Sequence, residues 1–221
     1  YKVQPSPDGL AQALILAEDF LQGGPSCLVL GDNIFYGQGL QEFLLRARAR
    51  RTGATLFAHK VRNPQHFGVV EFENGKAVSL EEKPEFPRSY YAVTGLYFYD
   101  SEATALTRKL KPSARGELEI TDLNQLYLEQ NQLHVEVFGR GFAWFDTGTS
   151  KSLHEASNFV KSIQEVQRYK IACIEEIALR QNFITSSDFV SDLAKNSSYH
   201  FFPGAVATAF KRIGQLKYRH P

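Results

Sequence analysis

The chain has 221 residues, 43% hydrophobic and 22% charged, with a formal net charge of +1. That length suits one large α/β domain or a core with a small appendage, and the balanced charge gives no electrostatic case for a nucleic-acid or membrane partner. Two cysteines do not suggest a disulfide framework or a zinc site, which favours a reducing, cytoplasmic setting, and no apolar run approaches the ~20 residues that cross a bilayer.

Tyr1 to Gln4 read as the tail of a strand, stopped by Pro5 and Pro7. The chain contains no methionine and opens abruptly, so a preceding native segment is expected. Asp8-Gly9 then opens a helix carrying Leu10, Leu14, Ala17 and Leu21 at helical spacing up to Gly23-Gly24. Gly9 is either part of a plain Pro-Asp-Gly turn or a place where a ligand meets bare backbone. Free N–H groups at this helix start could also receive an anion or a carbonyl edge.

Cys27 to Leu30 form an unbroken apolar run, as expected of a strand buried on both faces of a parallel sheet. It ends at Gly31-Asp32. A carboxylate at the carboxyl end of such a strand is either a turn residue and cap or part of a ligand site. Leu40, Phe43, Leu44 and Ala47 predict an amphipathic helix whose outer face holds Arg46, Arg48, Arg50 and Arg51, a solvated face rather than a binding patch. Ala54 to Ala58 is a second buried strand, and the alternation of strand and helix predicts parallel strands joined by right-handed crossovers.

The pattern then changes. Phe67 to Phe72 and Ala77 to Leu80 flank Asn74-Gly75, a strong hairpin signal. This hairpin runs into Glu82-Lys83-Pro84, where a lysine could hold a phosphate and a carboxylate could accept from sugar hydroxyls, or the two form a surface ion pair. Tyr91 to Tyr99 is a further strand, with Gly95 marking a bulge or close backbone approach. A short helix from Ala103 to Leu110, a loop carrying Arg115, a helix opened by Thr121-Asp122 and a strand from Leu133 to Phe138 follow. Trp144 is expected in the core, and Asp146 in the Gly-rich turn reads locally as a cap for the next helix. That helix has Leu153, Ala156, Phe159, Val160 and Ile163 on its apolar face. From Tyr169 the chain reads as helical, first over Ile171 to Arg180 and then from Ser186 into Phe189, Val190 and Leu193. Beyond Asn196 it reads as a poorly packed basic tail with Lys211, Arg212, Lys217, Arg219 and His220.

The order of short runs adds to this. Gln4-Pro5-Ser6-Pro7-Asp8-Gly9, Leu30-Gly31-Asp32-Asn33, Phe67-Gly68-Val69-Val70, Glu81-Glu82-Lys83-Pro84, Val93-Thr94-Gly95, Arg115-Gly116-Glu117 and Trp144-Phe145-Asp146-Thr147-Gly148 occur in the sequence found in one enzyme family. The chain resembles the glucose-1-phosphate thymidylyltransferases from Tyr1 to about Asn196. The resemblance implies a mixed, mostly parallel, doubly wound Rossmann-like α/β sheet of the nucleotide-diphospho-sugar transferase type. It would have flanking helices, a carboxyl-terminal helical appendage and its first βαβ unit missing. Expected bounds are residues 1–165 for the transferase part, 166–196 for the appendage and 197–221 for a divergent tail.

The reaction implied joins dTTP and α-D-glucose 1-phosphate into dTDP-α-D-glucose and diphosphate, in dTDP-rhamnose and lipopolysaccharide synthesis. By resemblance, Asp32 and Asp146 would ligate magnesium. Gln4, Pro7 and Gly9 would receive the base, while Gly68, Glu82, Lys83 and Val93 would hold the sugar phosphate. Lys83 and Arg115 would act in catalysis. Phe67 stands where tyrosine is common, so a hydroxyl contact near the sugar is expected to be lost. A cytoplasmic homotetramer, with the dTDP-sugar as product or feedback ligand, would also follow. The family's Gly-x-Gly-Thr-Arg-x-x-Pro loop, which holds the triphosphate, has no match here, so the chain is expected to be inactive by itself. Other readings are uridylyl or cytidylyl transfer, against which the Gln-Pro-Ser-Pro-Asp-Gly run argues, and a non-catalytic sugar-nucleotide-binding module.

Overall fold

A computed structural model describes residues 1–168 and 170–189. The chain divides into two compact units, with the boundary between Thr149 and Ser150.

In the first unit, strand β6 (Tyr91–Tyr99) organises a six-stranded sheet with β1 (Ser26–Val29), β3 (Ala54–Lys60), β4 (Gly68–Glu73), β5 (Lys76–Glu82) and β7 (Leu133–Phe138). β3 lies along one edge of β6 over its whole length. The opposite edge is shared, by β1 against Leu96–Tyr99 and by β4 against Tyr91 and Ala92. All three run antiparallel to β6, β5 runs antiparallel to β4, and β7 runs parallel to β3. Hence β1, β3, β4 and β7 point one way and β5 and β6 the other. The sheet is mixed, and four of its six strands share a direction. A separate two-stranded sheet joins β2 (Asn33–Tyr36) to β8 (Ala143–Asp146).

β3 is enclosed on both faces over Ala54 to Ala58, because its run of apolar residues meets a layer on each side. Ala54, Leu56 and Ala58 pack with Tyr97, Tyr99, Leu123 and Tyr127, the last two from helix α5 (Ile120–Glu129). Phe57, on the other face, packs with Leu96, Phe138 and Ala47, the last from helix α3 (Leu40–Ala49). The Phe57 and Phe138 rings stack at 5.3 Å, and Phe138 stacks on Phe142 at 4.7 Å. Helices on both faces of a mixed sheet give the expected α/β layering. The Asn74-Gly75 hairpin forms as expected, both residues having positive φ as a tight two-residue turn requires.

Several expectations are corrected. Tyr1–Gln4 is exposed and forms no strand, since no strand among the described residues pairs with it. The helix expected from Asp8 begins only at Gln12 and breaks at Ala17, giving α1 (Gln12–Leu16) and α2 (Glu18–Leu21). Gly9, at φ 104°, lies before it in the loop. β1 is not buried on both faces. It pairs only with β6 among the described residues, antiparallel, and its burial alternates, with Cys27 exposed and Val29 53% exposed. An apolar run has no periodicity from which to read either pairing direction or which face is covered. β1 and β3 do run the same way, but β6 separates them.

The second unit contains α6 (Ser150–Gln167), α7 (Ile174–Arg180) and a helical turn at 186–189. Three i,i+4 ion pairs lie along its helices, Lys151–Glu155, Lys161–Glu165 and Glu176–Arg180. Ala156 is buried as expected, whereas Leu153 is 53% exposed. Thr185 opens the last turn rather than Ser186. Its Oγ1 accepts from Asp188 N–H at 3.2 Å, and the Asp188 carboxylate accepts from Thr185 N–H at 2.9 Å. Tyr169, Val190, Leu193 and the basic tail lie outside the described residues.

Candidate active site

The site lies where β1 and β4 part along β6. Between the two pairing segments, Val93 to Gly95 have no strand against them on that edge among the described residues, and a cavity of about 160 Å³ opens there. Gly68, Glu82, Lys83, Val93 and Asp146 all line it, so the structure gathers five of the expected residues around one space. Gln4, Pro7, Gly9, Asp32 and Arg115 do not line it.

On one wall, β4 and β5 set Gly68 opposite Glu82. Glu82 Oε2 accepts from the Thr121 hydroxyl at 2.5 Å, and Glu82 Oε1 lies 3.7 Å from Lys83 Nζ. A Cβ on Gly68 would stand 3.1 Å from Thr121 Oγ1 and 3.3 Å from Glu82 Oε2, so a side chain there would crowd this pair. Lys83 has φ 44°, a strained backbone for a non-glycine residue, and its N–H is held by Phe67 O at 3.0 Å. Tyr97, deep in the sheet, has its phenol proton held firmly by burial, with Glu82 and Asp146 adding to the effect. It therefore meets the cavity as a neutral hydroxyl.

The opposite wall is the β2–β8 ladder, in which Asn33 faces Asp146. Asp32 precedes β2, and Thr147 follows β8. Thr147 donates twice to the Asp32 carbonyl, from its N–H at 2.9 Å and its hydroxyl at 2.7 Å. This brings the two acidic side chains together. The place where a Cβ on Gly148 would stand is 3.1 Å from Asp146 Oδ1 and 3.6 Å from Asp32 Oδ2. Asp146 Oδ1 accepts from Gly148 N–H at 3.0 Å, so Asp146 organises the turn while ending a strand, and α6 begins only at Ser150. Trp144 is not a core residue. It is half-buried in the cavity wall, its ring 5.0 Å from Phe67 and its Nε1 donating to Asn33 at 2.6 Å. Strand alternation alone cannot tell a core-facing tryptophan from one facing a cavity.

Among the described residues no cluster of three or more acidic, histidine or cysteine side chains forms a metal cage. Two adjacent carboxylates fit magnesium nonetheless, because that ion keeps several waters and takes substrate phosphate oxygens in place of a full protein shell.

The amino-terminal loop reaches the cavity through Leu10. Leu118 N–H donates to Asp8 O at 2.7 Å, and Ala11 N–H donates to Leu118 O at 3.2 Å, so the helix start is partly tied down by protein. A Cβ on Gly9 would stand 2.4 Å from Leu118 O, so close approach of the chain itself demands glycine there. Gln4 Nε2 donates to Gly9 O at 3.1 Å and to Gln12 Oε1 at 2.7 Å. Ser6 and Gln12 both donate to the Asp8 carboxylate and hold it below the usual carboxylate range. Arg115 lies on the neighbouring turn, paired with Glu117 at 2.8 Å and Glu119 at 3.7 Å.

A family profile described as nucleotidyl transferase matches residues 1–163. The chain belongs to the nucleotidyl transferase family. Within it, the glucose-1-phosphate thymidylyltransferase of Neisseria meningitidis is 58% identical over 196 residues, covering 88% of this chain and 68% of that protein. That of Xanthomonas campestris is 59% identical over 220 residues, 98% of this chain and 73% of that protein. The chain therefore spans roughly two thirds of these nucleotidyl transferases, and the resemblance does not stop at Asn196 as expected, since the Xanthomonas match continues beyond it. A Bacillus anthracis structure carrying the same name, solved with sucrose, superposes with a TM-score of 0.66 at 42% identity, covering 72% of this chain and 63% of that one. A UDP-glucose pyrophosphorylase, at 20% identity and TM-score 0.63 over 73% of this chain and 65% of that one, shares the fold. The expected thymidylyltransferase type is thus what the relatives share.

Asn33, Thr121 and Thr147 were missed as site residues. Asn33 and Thr147 sit in the quoted runs, but their hydrogen bonds cross more than 60 positions of sequence, which no local pattern encodes.

Proposed function

We propose that this chain carries the cation and sugar-phosphate part of a site transferring a thymidylyl group from dTTP to α-D-glucose 1-phosphate. The observation that carries this is the convergence of Asp32 and Asp146 beside a cavity walled by Gly68, Glu82, Lys83 and Val93. A phosphate oxygen of the sugar ester attacks the α-phosphorus of dTTP. One P–O bond forms as the bond to the bridging oxygen breaks, and diphosphate leaves. Lys83 offsets the charge of the sugar phosphate and holds it in line, Glu82 accepts from ring hydroxyls, and the Gly68 and Val93 main chain offers further hydrogen bonds. Gln4 reads the thymine edge, with Pro7 and Gly9 bordering the base, and Arg115 adds positive charge from the next turn. Magnesium, held by Asp32 and Asp146, would supply charge neutralisation between the two anions.

The relatives' shared name and the paired carboxylates support this reading. With it go a cytoplasmic homo-oligomer, a tetramer, and a dTDP-sugar as product or feedback ligand in dTDP-rhamnose synthesis. The 221 residues contain no Gly-x-Gly-Thr-Arg-x-x-Pro loop. Diphosphate release is therefore expected from the chain joined to such a loop segment and not from the chain alone. Calorimetric binding of glucose 1-phosphate with magnesium tests the site directly in the chain alone, and no binding would overturn the reading.

A further inference from the structure

Asn33 touches the carboxylate pair and the cavity wall at once. Its Nδ2 donates to Asp32 Oδ1 at 2.9 Å, and its Oδ1 accepts from Gly95 N–H at 3.0 Å and from Trp144 Nε1 at 2.6 Å. Both lone pairs of that oxygen are engaged, so the amide plane is fixed from both ends. There is no slack on the β6 side, since a Cβ on Gly95 would stand 2.7 Å from Asn33 Cγ. A displacement of the Asp32 carboxylate must therefore turn the amide against Trp144 and Gly95 rather than be absorbed.

We infer that Asn33 is a positioning residue coupling cation binding at Asp32 and Asp146 to the shape of the cavity through Trp144. This rests on the proposed cation role of those two carboxylates. A cation shared with Asp146 would pull on Asp32 Oδ2 while Oδ1 still holds the Asn33 amide, so movement of the carboxylate carries the amide and resets the indole that walls the sugar cavity. Coupling of this kind is reciprocal: whatever factor the cation adds to sugar affinity, the sugar adds to cation affinity.

Trp144 is the only tryptophan in the chain, so emission excited on the red side of the tyrosine band reports on this wall alone. The chain is titrated with magnesium chloride, following tryptophan emission and, in parallel, heat of binding. The wild type is expected to show a saturable emission change with the same midpoint as the calorimetric curve. Asn33→Ala is expected to bind magnesium within about tenfold of wild type, one lost hydrogen bond being worth up to about that, and to lose the saturable emission change. Asn33→Ser, which keeps a hydroxyl but cannot bridge both partners, is the second variant should Asn33→Ala fold poorly, and the same loss is expected. A purely structural Asn33 would change the melting temperature and leave the emission response in place, and that result overturns the inference. So does magnesium binding to the wild type without any change in emission. Absence of calorimetric binding to the wild type would remove the cation reading itself, and the coupling with it, while leaving sugar-phosphate binding to be scored separately.

Discussion

At the residue scale the site is set by a few groups whose identity has a physical reason. Thr147 pins the Asp32 carbonyl and so brings its carboxylate near Asp146, and on the proposed reading the two together hold one cation. In the chain joined to a triphosphate-binding loop segment, Asp32→Asn is expected to lower diphosphate release by on the order of 100-fold with the circular dichroism spectrum unchanged. Near-normal turnover would remove Asp32 from the cation site. Lys83→Ala acts elsewhere. On the proposed reading, losing its charge-assisted contact to phosphate should raise the glucose 1-phosphate concentration for half-maximal rate by roughly 10-fold or more, leaving the dTTP dependence little changed. Gly9 is constrained by packing. Its positive φ and the Leu118 carbonyl against it predict that Gly9→Ala destabilises the fold by about 1–3 kcal/mol, seen as a lower midpoint in urea.

At the element scale, the arginine face of α3 is only partly solvated. Arg46 and Arg50 converge on Glu136 of β7, at 3.0 and 2.6 Å, clamping the helix to the sheet edge. Burial alone would raise the Glu136 proton affinity, but the hydrogen bonds from both arginines outweigh it, and the carboxyl is held below its usual range. A carboxylate whose folded pKa is depressed contributes stability above its unfolded value, and that contribution is lost as pH falls through the folded value. Thermal melts from about pH 6 down to about pH 3 should therefore show a steeper acid decline for the wild type than for Glu136→Gln, which starts several degrees lower. Parallel curves would remove Glu136 from the acid response.

At the scale of the whole molecule, the sheet of the first unit is enclosed at β3 and open at β1. Val29 is 53% exposed, Phe20 83%, and β1 has one edge without a partner among the described residues. An unpaired strand beside exposed apolar side chains favours association between copies. Val29→Lys should reduce concentration-dependent light scattering without lowering the melting temperature, and an unchanged scattering profile would show that β1 is not the sticking edge.

The sequence by itself determined the elements with strong local signals. The Asn74-Gly75 hairpin, the amphipathic α3 and the doubly buried β3 were all readable, since turn chemistry and hydrophobic period are encoded within a few residues. It also brought out Asp32, Glu82, Lys83 and Asp146, through short runs in a characteristic order. Only the tertiary structure decided which strand lies against which. β1 and β4 share one edge of β6 and leave a gap between them, and the cavity is that gap. It alone turned Trp144 from a core residue into a wall and gave Asn33 its bridge. Pairing partners and side-chain hydrogen bonds across distant segments depend on the enclosed space as a whole, and a linear pattern records only what each residue's near neighbours require.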